Sequence, residues 1–541
     1  MAVLYVIAVL LILLCPLCGV LYALGEILNK FAFHSRKWGT LIIVGFGAVL
    51  LVIGILFDVR VIPLELFKNF VAKTQLFDIE YTPVSVWQWI ISDCKTLGVS
   101  VILVTSLLSL ARLTPERMMI KAEQRRERKK RKLKDIDYIP KTSQLCFGVS
   151  GAGKSAFIGK SLDEIICNDP NAFCLICDGK GSTEKFSLYY SLQIIARKYG
   201  KRLVILNGTA NDNIGGCVYD FLDGVEKADA AKDMIMALIT DPTVEKSAGA
   251  EHFKVMTESY ILTVIEFMKR HNIDVTLMNA IQLLTPENLL SVAEQNHADP
   301  DEQAELRKLT EESWQDVAAS VTKLKMFIRG QGKNIFVGSG EQLRTNIRKA
   351  YANGDIVLVL ADEMSMPTLA QKLVQLVTMD LRNLVAGRLT GTIDMNNKVY
   401  SFFDEFSGYA SALPIIKSLY ARARSAEVIM SLASQSCSDI IGLGNGWFEI
   451  LCDTADRFVI FRQHSAEAAE AASGIFGTEI HVTATARSSE FMFTGESSNT
   501  LDRAFVVSPD TIRNLPVNHG ILYDKKAGTI QFFKNKFITE N

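Results

Sequence analysis

One segment of the chain combines glycine, lysine and serine at the spacing of a phosphate-binding loop. It reads Gly148-Val-Ser-Gly-Ala-Gly-Lys-Ser155, a complete match to G-x-x-x-x-G-K-S. Glycines let backbone N–H groups close around phosphates, and the start of a following helix favours negative charge. A lysine at this position reaches the β- and γ-phosphates, and the serine hydroxyl binds Mg²⁺. With ATP as the nucleotide, the expected ligands are Gly148, Gly151, Gly153, Lys154 and Ser155.

A pair of carboxylates, Asp404 and Glu405, lies 250 residues after Lys154 and completes this chemistry. The pair ends the apolar run Lys398-Val-Tyr-Ser-Phe-Phe403, which predicts a buried strand. An Asp at a strand end can hold Mg²⁺ through water, and an adjacent Glu can polarise the attacking water. We therefore expect metal binding by Asp404 and catalysis by Glu405. Two solvated carboxylates at a strand end are the alternative interpretation.

A second polar strand end follows in the sequence. Residues 426–433 predict a strand that ends at Ser434-Gln435-Ser436, and Gln435 would there be placed to sense the γ-phosphate. Two arginines, Arg422 and Arg424, precede this strand in a predicted turn. In a ring of subunits they could act as arginine fingers on a neighbour's phosphate, with Arg424 the preferred candidate. Ordinary surface arginines are an equally weighted alternative.

The pattern of elements around these motifs predicts an α/β core with a largely parallel sheet, because apolar strand-like runs alternate with helical patterns. We therefore predict a P-loop nucleotide-binding domain over residues 141–225 and 331–541. Between 226 and 330 the strand signals vanish and helical periodicity dominates, which predicts an inserted all-α domain. The predicted strands cover residues 143–147, 172–177, 202–206, 355–360, 398–403, 427–433 and 457–461.

The N-terminal part is predicted to cross a membrane. Two uncharged runs, Ala2–Leu24 and Thr40–Phe57, are each long enough to span a hydrocarbon core, and Leu97–Leu110 is a shorter third run. We assign residues 1–112 to a transmembrane region of two or three helices. A cleaved signal peptide is the alternative for the first run, although that run lacks the basic residues that begin such peptides.

A strongly basic segment follows the apolar runs. Residues 121–134 carry a net charge of +7, and we assign residues 113–140 to a basic juxtamembrane linker. The positive-inside rule places this linker in the cytoplasm, which predicts a multi-pass membrane protein with a large cytoplasmic domain. Contact with anionic membrane lipids is the simplest role of the segment, and direct nucleic-acid contact is the alternative.

Composition agrees with a membrane anchor joined to a globular body. The 541 residues are 49% hydrophobic and 22% charged, which excludes a mostly disordered chain. The 10 cysteines are scattered and lie mostly in apolar runs, which argues against a secreted disulfide scaffold. The net charge of −1 hides a separation, with +9 in residues 1–134 and −10 in the remainder. Overall neutrality therefore does not exclude nucleic acid as a partner.

The ordered set of motifs resembles the type IV secretion coupling proteins, the TraG/TraD-like membrane ATPases related to the FtsK and HerA pumps. The resemblance covers about residues 113–541. Besides the loop and the carboxylates, Asp178-Gly-Lys180-Gly181 is similar to the family's D-P-K-G segment, with Gly179 in place of the proline. We expect the chain to depart from the family in having two or three membrane spans, where two are common, and in having no long C-terminal tail of the kind that some members carry.

This resemblance implies a RecA/FtsK-like core and an ATP-hydrolysing motor that forms a homo-hexamer. The implied function is to couple relaxase-bound single-stranded DNA, protein effectors, or both to a type IV secretion channel. The implied partners are channel subunits, the relaxase–DNA complex or effector proteins, single-stranded or duplex DNA, and membrane lipids. Two alternatives remain: an FtsK/HerA-like DNA pump without a secretion channel, and a membrane-tethered adaptor that uses ATP only for assembly.

Overall fold

The computed structural model describes residues 132–240, 248–489 and 492–538, together with Val99. The predicted transmembrane region at 1–112 and most of the basic linker lie outside the described residues. In the described part of the chain, no helix combines the length and the apolarity needed to cross a membrane. The residues from 132 onward belong to one compact unit.

The apolar runs of the sequence form a central sheet whose inner strands are buried on both faces. Its strands are β1 (Gln144–Phe147), β2 (Phe173–Asp178), β3 (Leu203–Gly208), β6 (Ile356–Ala361), β7 (Val399–Asp404), β8 (Val428–Ser434), β9 (Arg457–Ile460), β12 (His519–Asp524) and β13 (Thr529–Lys534). They are arranged in the order β13-β12-β9-β1-β8-β7-β2-β6-β3. The seven strands from β9 to β3 run parallel, while β12 and β13 are antiparallel additions at one edge. The prediction of a largely parallel sheet is therefore confirmed.

Helices connect the parallel strands and cover both faces of the sheet, which explains why these strands are almost continuously apolar. Local capping defines several helix ends. Ser187 accepts from the Tyr190 N–H at the start of α2, and Gly200 ends that helix in the left-handed conformation. The helices are α1 (Lys154–Asn168), α2 (Leu188–Tyr199), α8 (Ile347–Asn353), α9 (Pro367–Thr390), α10 (Leu413–Arg422), α11 (Cys437–Gly442), α12 (Trp447–Thr454), α13 (Ala466–Phe476) and α14 (Pro509–Arg513).

A helical segment separates the two sequence halves of the sheet. The short strands β4 (Val218–Tyr219) and β5 (Arg344–Thr345) pair in parallel on either side of it, so its entry and exit lie side by side. The longest helix begins with Asp299 as its cap and Pro300 in its first turn, both of which favour a helix start. The helices are α3 (Ala228–Ile239), α4 (Ala248–Arg270), α5 (Leu277–Leu283), α6 (Pro286–Gln295) and α7 (Pro300–Arg329).

A long antiparallel hairpin, which the sequence patterns did not predict, follows α13. Its strands, β10 (Thr478–Ser489) and β11 (Met492–Phe505), pair with each other as a two-stranded sheet apart from the central sheet. The register shifts between Ala486 and Ser488, which indicates a bulge. The hairpin is rich in Thr, Ser and Ala, so it lacks the apolar runs that identified the other strands.

An aromatic cluster fixes α1 against the C-terminal strand pair. The ring centroid of Phe533 lies 5.8 Å from that of Phe157 and 5.8 Å from that of Phe461. Tyr138 completes the cluster, with its ring 5.4 Å from Phe157. These rings are buried, and aromatic contacts of this kind add to the free energy gained from burial. The cluster therefore connects the helix that follows the phosphate-binding loop to residues near the end of the chain.

We predict that Phe533→Ala lowers the free energy of unfolding by about 3–5 kcal/mol, because it leaves a cavity among buried rings. Phe537→Ala is the matched control, since that ring is 47% exposed, and we expect a change within about 1 kcal/mol. Denaturant unfolding followed by circular dichroism would measure both. Equal losses in the two variants would contradict the proposed importance of the cluster.

Candidate nucleotide-binding site

The glycine-rich segment forms a loop between β1 and α1. Gly151 and Gly153 have φ angles of +75° and +122°, a region that residues with side chains rarely adopt. A Cβ atom at Gly148 would lie 2.5 Å from Phe461 Cβ, so this position also requires glycine. Because α1 begins at Lys154, directly after the loop, its free N–H groups and positive dipole end face the loop. This arrangement suits a bound phosphate group.

Two asparagines that flank the β12–β13 strand pair hold the loop in place. The Asn518 N–H donates to Ala152 O at 3.0 Å, and Asn535 Nδ2 donates to Gly153 O at 2.8 Å. The Asn535 N–H in turn donates to Asn518 O at 2.8 Å. Sequence reasoning missed both residues, because nothing local marks a contact between positions more than 350 residues apart.

The lysine and serine of the loop contact the carboxylates that end β7. Lys154 is 3% exposed, and its Nζ donates to Gly148 O and lies 3.5 Å from Glu405 Oε1. The Ser155 hydroxyl donates to Asp404 Oδ2 at 3.4 Å. β8 lies between β1 and β7, and all three strands are parallel. Their carboxyl ends therefore lie next to one another on the same side of the sheet. The structure therefore brings the two predicted motifs together.

The two carboxylates at the end of β7 have different environments. Asp404 is fully buried, and burial, followed by the negative charge of Glu405, raises the pKa of Asp404 above its usual range. The Glu405 N–H donates to Asp404 Oδ1 at 3.1 Å. Glu405 itself adopts a φ of +55°, which is uncommon for a residue with a side chain. The two side chains are thus presented by a sharp turn at the strand end.

A third carboxylate, at the end of β2, and a second lysine, in the turn that follows, complete the charged cluster. Asp178 pairs in register with Asp404, and burial together with the negative charge of Asp404 raises the pKa of Asp178 to about 7. Lys180 Nζ lies 3.2 Å from Glu405 Oε1. Burial opposes the positive charge of Lys180, but Asp404 and Glu405 outweigh it and raise the pKa of Lys180. The sequence indicated this segment only through the family resemblance.

The two remaining candidate residues, Gln435 and Arg424, lie at opposite ends of strand β8. Gln435 is exposed directly after β8, between the ends of β1 and β7 and thus beside the charged cluster. Arg424 precedes β8 and therefore lies at the amino ends of the strands, away from the cluster. Its side chain is 67% exposed, and its guanidinium Nη1 lies 3.5 Å from Asp456 Oδ2. Arg424 is therefore not part of the site that its own chain forms.

The described residues contain no group of three or more His, Cys, Asp or Glu side chains that could hold a metal ion by themselves. Ser155 and Asp404 offer oxygen ligands, which Mg²⁺ prefers. Mg²⁺ usually binds through one or two protein ligands together with substrate phosphates and water. The pair beside a phosphate-binding loop has that composition.

Residues 398–517 match the family model described as the TraM recognition site of TraD and TraG. This match confirms the resemblance to the TraG/TraD-like coupling proteins. The matched region contains Asp404, Glu405, Arg424 and Gln435 together with the β10–β11 hairpin. A direct sequence comparison with curated proteins gives no match.

The chain is also similar to solved structures at low sequence identity. The unbound bacterial conjugative coupling protein TrwBΔN70 is 14% identical with a TM-score of 0.49, over 73% of this chain and 85% of that one. TrwB with the non-hydrolysable GTP analogue GDPNP has the same identity and TM-score, over 76% of this chain and 92% of that one. VirB4 of Thermoanaerobacter pseudethanolicus is 13% identical with a TM-score of 0.44, over 75% and 92% of the two chains.

We predict that Gly153→Ala destabilises the loop more than Gly151→Ala does. Both glycines have positive φ angles, but only a Cβ at position 153 would meet Asn535 Nδ2 at 2.8 Å and Asn518 Oδ1 at 2.9 Å. Nothing lies within 4 Å of a Cβ at Gly151. Backbone strain of this kind costs about 1–3 kcal/mol, and we expect Gly153→Ala to lose more because the clash adds to it. Thermal unfolding of the two variants would measure the difference, and a larger loss in Gly151→Ala would contradict the proposed contacts.

Proposed function

We propose that the chain is an ATPase of the bacterial inner membrane that couples cargo to a type IV secretion channel. The ATPase part of this proposal rests on two contacts at the carboxyl ends of the parallel strands. Lys154 contacts Glu405, and Ser155 contacts Asp404. Motifs 249 residues apart in sequence are thereby joined in one charged cluster beside a phosphate-binding loop. The family-model match over residues 398–517 supports the coupling part.

ATP and Mg²⁺ are the ligands that this site fits. The amide groups of the Gly148–Gly153 loop would bind the phosphates, with Lys154 on the β- and γ-phosphates. Ser155 would bind Mg²⁺ directly and Asp404 would bind it through water, and the metal would neutralise phosphate charge. TrwB has been solved in complex with ADP and Mg²⁺. For this chain, the glycine conformations and the 3.4 Å approach of Ser155 to Asp404 support the assignment.

We assign catalysis to Glu405. In hydrolysis, Glu405 orients the attacking water and accepts its proton while the water oxygen bonds to the γ-phosphorus and the bond to the ADP leaving group breaks. Gln435, at the end of β8, would detect the γ-phosphate. Arg424 would act on the site of a neighbouring subunit, since in its own subunit it lies at the amino ends of the strands and the site lies at their carboxyl ends. This last role requires a ring, and we propose a homo-hexamer.

The cellular setting of the proposal comes from the sequence and from the family. The apolar runs in residues 1–112 would anchor the protein in the membrane, and the basic linker would contact anionic lipids. The matching family model is described as a TraM recognition site, which supports partners of the relaxosome type. We propose relaxase-bound single-stranded DNA or protein effectors as cargo, with channel subunits as further partners and the helical segment 226–330 as a cargo contact.

The proposed mechanism predicts that Glu405→Gln lowers ATP hydrolysis at least 100-fold while ATP affinity stays within about threefold, because general-base catalysis contributes about 10²–10⁴-fold. Lys154→Ala should instead lose ATP binding. Steady-state hydrolysis and binding of a fluorescent ATP analogue to the full-length protein in detergent would separate the two effects. Wild-type turnover in Glu405→Gln would contradict the assigned base.

The same assays with single-stranded and duplex DNA distinguish the proposed motor from its alternatives. Stimulation by DNA supports a DNA-moving ATPase, and co-purification with a relaxase or channel subunits then separates a coupling protein from a DNA pump. The absence of turnover under every condition would favour an adaptor that uses ATP only for assembly.

The placement of Arg424 predicts complementation between inactive subunits. Arg424→Ala and Lys154→Ala proteins should each hydrolyse ATP at least tenfold more slowly than the wild type, and arginine fingers contribute about 10³–10⁵-fold in related chemistry. A mixture of the two should regain part of the activity, because some interfaces combine an intact loop with an intact arginine. Arg422→Ala, which removes the neighbouring exposed arginine, is the control. A mixture no more active than its components would argue against Arg424 acting between subunits.

A further inference from the structure

The segment Asp178-Gly-Lys180-Gly181 has no role in the mechanism proposed above, yet it lies in the charged cluster. It follows β2, which pairs with β7 so that Asp178 is opposite Asp404. The turn after β2 is therefore next to the turn that presents Glu405. Lys180 and Glu405, 225 residues apart in sequence, meet because their strands are neighbours in register.

Two ammonium groups share one oxygen of Glu405. Lys180 Nζ lies 3.2 Å and Lys154 Nζ 3.5 Å from Glu405 Oε1. The side chain of Glu405 is only 13% exposed and that of Lys180 is 36% exposed, so both are partly shielded from water. Ion pairs in such surroundings are stronger than exposed ones, because water screens them less.

Lys154 and Lys180 differ in whether they are also expected to bind phosphate. Lys154 follows the phosphate-binding loop, and the proposed function requires it to bind the β- and γ-phosphates. Lys180 lies in the turn after β2 and is not assigned to the phosphates. Of the two ammonium groups on Glu405, that of Lys180 can therefore keep holding the carboxylate while phosphates occupy Lys154.

The close approach of the two turns depends on the absence of a side chain at position 179. A Cβ atom there would lie 2.9 Å from Tyr409 Oη and 3.3 Å from both Asp404 O and Glu405 Cβ. Tyr409 is fully buried, so its side chain cannot turn out into solvent without disturbing the residues packed around it. The glycine that replaces the family's proline at this position thus allows the β2 turn to pack directly against Glu405.

The cluster also needs the positive charge of Lys180 for electrostatic reasons. Asp178, Asp404 and Glu405 bring three carboxyl groups to two adjacent strand ends, and Asp178 and Asp404 are at most 3% exposed. Like charges in a buried site repel strongly unless cations or protons compensate them. Without Lys180, Lys154 would be the single lysine in contact with Glu405 among the described residues.

We infer that Lys180 is a positioning residue that holds the Glu405 carboxylate where it can orient the attacking water. This inference rests on the proposed ATPase function and adds to it a residue that acts through Glu405. Because Lys180 contacts the base and is not assigned to the phosphates, its loss should affect the chemical step more than binding.

Steady-state kinetics of Lys180→Met in the full-length protein, in detergent, would test this role. We expect kcat to fall about 10- to 100-fold, the range typical for residues that orient a catalytic group. The Kd of a non-hydrolysable ATP analogue, measured by calorimetry, should stay within about threefold of the wild type. Lys180→Arg keeps a cation near Glu405 and should recover most of the lost kcat.

Lys185→Met is the matched control. Lys185 is exposed in the same loop and lies over the Phe186 ring at 5.7 Å, so its removal should leave kcat unchanged. Thermal unfolding of every variant identifies loss of folding, and if Lys180→Met is unstable, Lys180→Gln is measured in its place. A folded Lys180→Gln with a lowered kcat and an unchanged Kd supports the role, and one with wild-type kcat, or with kcat and Kd equally impaired, contradicts it.

The outcomes distinguish this inference from the function on which it rests. Wild-type kcat in a folded Lys180→Met protein, or a Kd weakened as much as kcat falls, would overturn the positioning role while leaving the ATPase intact. A wild-type protein that binds the analogue but never hydrolyses ATP would overturn the proposed ATPase, and the inference with it.

Discussion

The parallel alignment of β1, β8, β7 and β2 is the constraint on which the site depends. A parallel sheet gathers the carboxyl ends of its strands on one side. There β1 leads into the glycine-rich loop, β7 and β2 end in Asp404 and Asp178, and β8 ends at the polar residues Ser434 and Gln435. Ser155 and Asp404 meet at 3.4 Å although neither is near the other in sequence. A one-residue slip of β7 against its neighbours would turn Asp404 to the opposite face of the sheet and dissolve this contact.

The same alignment concentrates charge where water is scarce. Lys154, Asp178 and Asp404 are each at most 3% exposed, and isolated ions at that depth would be strongly destabilising. The site compensates by placing cations and carboxylates in contact and by raising the pKa of Asp178 and Asp404, as burial and mutual repulsion require. Because these charges compensate one another, the arrival of phosphates and a metal ion would change the pKa values and ion pairs of the whole cluster.

Sequence reasoning predicted the parts of the molecule that carry a local signal. Apolar runs identified the parallel strands, and the loop at 148–155 was evident from its glycines. The β10–β11 hairpin escaped prediction because its Thr, Ser and Ala residues form no apolar run, and the register of β2 against β7 has no local signal at all. For that reason the contact between Lys180 and Glu405 emerged only from the three-dimensional arrangement. The direction of β8 also places Arg424 on the side of the sheet opposite the glycine-rich loop of the same chain. Sequence spacing alone did not decide whether Arg424 lies near that loop.

The support of the phosphate-binding loop by Asn518 and Asn535 has a consequence for the order of events during synthesis. The loop leaves the ribosome first, and the two asparagines that hold it emerge only after more than 350 further residues have been made. Until then the loop lacks both contacts, and α1 lacks the Phe533 ring that packs against it. A nascent chain interrupted before residue 518 therefore carries the nucleotide motif without the contacts that shape it, and the motif gains them only once residues 518–535 have been made.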